Sequence, residues 1–91
     1  MACRVPDPEA VRAILEGASR IVTVDDDEIR AAMRHLFSDT HNVAEGAGAA
    51  PLAALLQERM RIAGRRVASI LSGGNVDREV FARTLDENPE P

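Results

Sequence analysis

The stretch RRVASILSGGNVDREVF, residues 65–81, decides how the rest of the chain is read. Residues 66–71 are nearly continuous apolar sequence, which suits a strand covered on both faces. The run stops at Ser72, two glycines and Asn75 follow, and a helical pattern resumes at Val76. In open α/β sheets, ligands sit beyond the carboxyl ends of strands, and Ser72 falls at that place. Gly73 and Gly74 carry no side chains, so a flat ligand has room to approach. An ordinary turn fits the same residues: glycine supplies positive φ, and Ser72 or Asn75 caps the next helix. A phosphate loop does not fit, because neither the P-loop lysine nor the GxGxxG spacing is present.

Upstream, VAEGAGAA (43–50) places Glu45 between a two-residue apolar step and a helix start rich in small residues. Its carboxylate would lie near the helix's partial positive end. Taken singly, a plain N-terminal acid followed by small residues for close packing is the simpler explanation. EGAGAAPLAALLQERMRIAG (45–64) then reads as a helix with Leu52, Leu55, Leu56 and Met60 as its stripe and Gly64 as its stop. Pro51 removes a donor and presses on the carbonyl of Ala47, so the helix either starts nearer Pro51 or kinks there.

The remaining elements follow the same logic. PDPEAVRAILEGAS (6–19) offers Asp7 as N-cap, Pro8 at the first helical position and Glu9 in the first turn. Val11, Ile14, Leu15 and Ala18 form its apolar face. RIVTV (20–24) is short and β-branched, as a strand is. DDDEIRAAMRHLF (25–37) opens with capping-box spacing at Asp25 and Glu28 and turns Ile29, Met33, Leu36 and Phe37 inward. SDTHN (38–42) reads as a loop. VDREVFARTL (76–85) closes as a helix with Val76, Val80, Phe81 and Leu85 inward, and residues 86–91 form a frayed tail. The order implies an α/β fold of alternating helices and short strands over residues 1–85. Three strands leave open sheet edges, so the pattern is an incomplete piece of a larger three-layer domain.

Composition narrows the function. The chain has 91 residues, a formal net charge of −4, two Phe and neither Trp nor Tyr. Such a surface does not steer toward nucleic acid or anionic lipid, and it offers no aromatic platform for bases. All 11 basic residues are arginine, so the only primary amine is the N-terminus. Cys3 is the single cysteine; it excludes an internal disulfide, has no base beside it in sequence and fits a reducing, cytoplasmic setting. His35 and His41 lack ligand partners at metal spacing, so no metal site is expected. Arg59, Arg61, Arg65 and Arg66 read as a solvated helix end. No apolar stretch approaches the roughly 18 residues of a membrane span.

Four segments in order, MACRVPDPEAV, RIVTVDDDEI, HNVAEGAGAAPLAALL and VASILSGGNVD, together resemble the threonine dehydratase (threonine ammonia-lyase) and serine racemase group. These are pyridoxal-phosphate enzymes of the tryptophan-synthase-β fold. The resemblance covers about residues 1 to 85 and only the C-terminal part of that catalytic domain. It implies that Ser72 hydrogen-bonds the pyridine nitrogen of pyridoxal phosphate, that Gly73 and Gly74 leave the ring's edge open, and that Asn75 holds the turn. Glu45 is implied on the same side of the ring. Gly46 and Pro51 depart from the proline and alanine usual at those places. The resemblance further implies a lysine for the Schiff base and a Gly-rich phosphate loop, and this chain has neither. Catalytic residues are therefore expected outside it. The expected activity belongs to a parent enzyme, itself a homo-oligomer, that converts threonine or serine to a 2-oxo acid and ammonia. This chain, inactive alone, would be a fragment completed by the remainder of the catalytic domain. A serine racemase fragment and a non-catalytic α/β interaction module are the alternative readings.

Overall fold

A computed structural model describes residues 4–87. Cys3 and residues 88–91 of the expected tail lie outside the described residues. Those described form four helices and no strand: α1 (Pro8–Gly17), α2 (Asp26–Thr40), α3 (Gly46–Gln57) and α4 (Arg78–Asp86).

The centre is the contact of α2 with α3. Ile29, Ala32 and Met33 of α2 bury against Ala49 and Ala53 of α3 and against Ala44 just before it. The α3 residues at this contact are small, so the two helices approach closely and the core holds no large, fully buried side chain. The start of α2 is fixed as its sequence implies. The Asp25 carboxylate accepts from the Glu28 N–H at 2.7 Å, and the Glu28 carboxylate accepts from the Asp25 N–H at 3.0 Å. The helix runs three residues past Phe37 and absorbs Ser38–Thr40, which had the look of a loop. His41 ends it in the left-handed region at φ 59°, donating its N–H to the carbonyls of Leu36 and Phe37.

α4 docks on α2 through an edge-to-face pair, Phe81 on Phe37, with ring centroids 5.7 Å apart. Glu87 ties the end of α4 to Arg30 at 2.9 Å and Arg34 at 3.0 Å. Asp86 is the last helical residue, so the described part of the expected tail is anchored. Val80 is 40% exposed rather than inward; the buried residue of α4 is Thr84, whose hydroxyl donates to the Val80 carbonyl at 2.9 Å.

Several expectations need correction. Residues 20–24, 43–44 and 66–71 form no strands. A strand is stable only when a neighbour satisfies its N–H and C=O groups, and no described segment pairs with these. Ala44 is buried and Val24 packs against the core, but other apolar residues of these segments stay open: Ile21 is 71% and Ile70 78% exposed. α1 forms with its cap, Asp7 accepting from the Glu9 N–H at 3.2 Å, yet none of its residues is buried and it packs on no other helix. α3 starts at Gly46 and runs through Pro51, so the proline does not delay its start. It ends at Gln57, before Met60, which is exposed, and before Gly64, whose φ of 79° serves a later turn.

Candidate functional site

The two motifs singled out in the sequence meet in space. The Glu45 N–H donates to the carbonyl oxygen of Gly73 at 3.1 Å, joining the start of α3 to the loop 72–75. Glycine is required there by close approach. A Cβ on Gly48 would stand 2.5 Å from the Gly73 oxygen and 3.2 Å from its nitrogen. One on Gly74 would run into the carbonyl oxygen of Val43, whereas one on Gly73 would meet only the movable end of the Glu45 side chain. The loop tightens further where the Val76 N–H donates to the Gly74 carbonyl at 3.0 Å.

Beside this junction lies a cleft of about 420 Å³. Glu45 and Asn75 line it, together with Asp26, Asp77, Val76 and Val80. The starts of α2, α3 and α4 therefore converge on one space, and the partial positive charge of each helix start favours the carboxylate beside it. Asp77 precedes α4 without a side-chain cap bond, so neither Ser72 nor Asn75 caps that helix. Sequence reasoning missed Asp26 and Asp77 as neighbours of Glu45. Their only signal was that each stands at a helix start, and nothing local says which helix starts share a cleft.

Of the residues picked out in advance, Glu45, Gly73, Gly74 and Asn75 are brought together. Ser72 adjoins them but does not line the cleft; it is exposed, and its hydroxyl makes no hydrogen bond among the described residues. His35 lies 3.9 Å from Asp39, and the described residues contain no cluster able to hold a metal ion. Arg59 donates to the Leu56 carbonyl at 3.0 Å, the role expected of an arginine at a helix end. No helix among the described residues is long and apolar enough to cross a membrane.

Comparison with known proteins gives this geometry a family. Residues 1–73 match the profile of the pyridoxal-phosphate dependent enzymes. The chain is 46% identical over 67 residues to a phenylserine dehydratase of Ralstonia pickettii, a match covering 72% of this chain and 21% of that protein. It is 31% identical over 87 residues to an L-threonine ammonia-lyase of Thermotoga maritima, covering 96% of this chain and 21% of the relative. With the biosynthetic L-threonine dehydratase of Escherichia coli the identity is 45% over 71 residues, covering 76% and 14%. The chain thus spans about a fifth or less of these relatives. No solved structure matches it. The match over residues 1–73 places the chain in the pyridoxal-phosphate dependent enzyme family, whose domain has the tryptophan-synthase-β-like fold.

Proposed function

We propose that this stretch forms one wall of the cofactor pocket of a pyridoxal-phosphate-dependent ammonia-lyase acting on a β-hydroxy amino acid such as threonine or serine. The observation that carries the reading is the junction of Glu45 with Gly73, which seats the loop 72–75 on the start of α3. The family match and the dehydratases among its relatives support the same assignment. The product is a 2-oxo acid with release of ammonia. The complete enzyme works in the cytoplasm as a homo-oligomer.

The residues present fit one end of the cofactor only. Ser72 has a free, exposed hydroxyl, suited to the pyridine nitrogen. The phosphate end has no fit here: the cleft is lined by three carboxylates, Asp26, Glu45 and Asp77, and the chain contains no lysine. When bound, the cofactor supplies an electron sink for charge developing at the substrate's α-carbon. Ser72 would hold the pyridine nitrogen through a neutral hydrogen bond, which does not force a proton onto the ring as a carboxylate would. Gly73 and Gly74 would keep the adjoining edge clear, Asn75 would hold the turn, and Glu45 would face the same side. The lysine and the phosphate loop belong to other segments of the enzyme.

Replacing Ser72 with alanine in the complete enzyme tests the reading. One lost hydrogen bond of about 1 kcal/mol weakens cofactor affinity roughly fivefold to tenfold and shifts the absorption band of the bound cofactor. Affinity and spectrum both unchanged would exclude Ser72 from the cofactor site.

A further inference from the structure

We infer that Gly48 is a positioning residue for Ser72, an inference that rests on the cofactor-pocket reading above. Gly48 is the third residue of α3 and is buried. A Cβ there would stand 2.5 Å from the Gly73 carbonyl oxygen, 3.2 Å from the Gly73 nitrogen and 3.4 Å from a methyl of Leu71. The first two atoms are backbone, so they cannot swing aside as a side chain does.

The consequence follows from connectivity. The Gly73 nitrogen belongs to the peptide group that joins Ser72 to Gly73. The Gly73 oxygen is the acceptor of the Glu45 N–H. A single methyl group at position 48 therefore pushes on both peptide groups flanking the Gly73 α-carbon. It also displaces the acceptor that ties the loop to α3. Ser72, held in place by no hydrogen bond of its own side chain, moves with that backbone. Its position is thus set by the absence of a side chain on α3. Gly73 behaves differently, because a Cβ there meets the end of the Glu45 side chain, which can rotate away. Gly17 gives the contrast: a Cβ there meets nothing within 4 Å.

The test is Gly48→Ala in the complete enzyme, beside Ser72→Ala and Gly17→Ala. A displacement that breaks the Ser72 contact forfeits up to the roughly fivefold to tenfold in affinity that the hydrogen bond contributes. Gly48→Ala is expected to lower cofactor affinity toward the level of Ser72→Ala and to move the cofactor absorption band in the same direction. Gly17→Ala is expected to leave both as they are. If Ser72→Ala alters affinity and spectrum while Gly48→Ala alters neither, the positioning role falls and the pocket reading stands. If Ser72→Ala alters neither, both fall together. Should Gly48→Ala fail to fold, hydrogen exchange in the unaltered enzyme decides the matter. A Glu45 amide protected after the cofactor is removed supports a loop seated by α3 itself. A freely exchanging amide overturns the inference.

Discussion

His41 occupies a conformation that its side chain resists. At φ 59° it closes α2 in the left-handed region, where a Cβ costs about 1–2 kcal/mol and glycine carries no such penalty. Glycine gives back part of that through its freer unfolded chain, roughly 0.5–1 kcal/mol. His41→Gly is therefore expected to stabilise the end of α2 by under about 1 kcal/mol. The measurement is hydrogen exchange of the His41-position and Asn42 amides, which donate to the carbonyls of Phe37 and Leu36. Exchange several-fold slower than in the parent is expected; faster exchange would mean that the imidazole itself supports the turn. Legibility at this scale followed chemistry that is local. Asp7, Pro8, Asp25 and Glu28 all take the roles their spacing implies, because a cap is satisfied within four residues. The left-handed ending at His41 was hidden by a residue type that gives no turn signal. The close approach at Gly48 depends on a backbone 25 positions away, and no window of sequence contains it.

Two interactions hold α4 on α2, and their magnitudes separate them. Glu87 is 41% exposed and pairs with two arginines at the rim, the setting in which ion pairs contribute about 0–1 kcal/mol. Phe81 is half-buried and contacts Phe37 edge to face. Truncating an aromatic in a full core costs about 3–5 kcal/mol, and partial exposure brings the expected figure nearer 2. Phe81→Ala should release α4, seen as a roughly 30-fold faster exchange of its amides, whereas Glu87→Ala should change them less than fivefold. Equal effects would mean that the arginines carry the docking. Helices were legible because their hydrogen bonds are internal. Strands were misread for the converse reason: residues 20–24 and 66–71 have strand composition, but a strand's bonds are made by another segment.

The whole molecule is looser than its length allows for a closed domain. Its radius of gyration is 14.3 Å, against about 12 Å for a compact chain of this size. It exposes 7383 Å², where a folded monomer of 9.8 kDa exposes about 5200 Å². The excess is partly apolar, on Ile14 and Leu15 of α1 and on Ile70 among the strand-like residues. The incompleteness inferred from counting strands thus has a physical counterpart in uncovered surface, although the strands themselves did not form. The 91-residue chain purified alone is accordingly expected to bind a hydrophobic dye and to lose helicity over a broad temperature range rather than in a sharp transition. Mixed with pyridoxal phosphate and reduced with borohydride, it is expected to take the label on its N-terminal amine alone, because it has no lysine. It should not turn over threonine. A sharp melt without dye binding would mean that these faces are covered within the chain, and the wall-of-a-pocket reading would lose its physical support. Turnover of threonine by the isolated chain would place the catalytic group among these residues, where the composition supplies no side-chain amine to perform it.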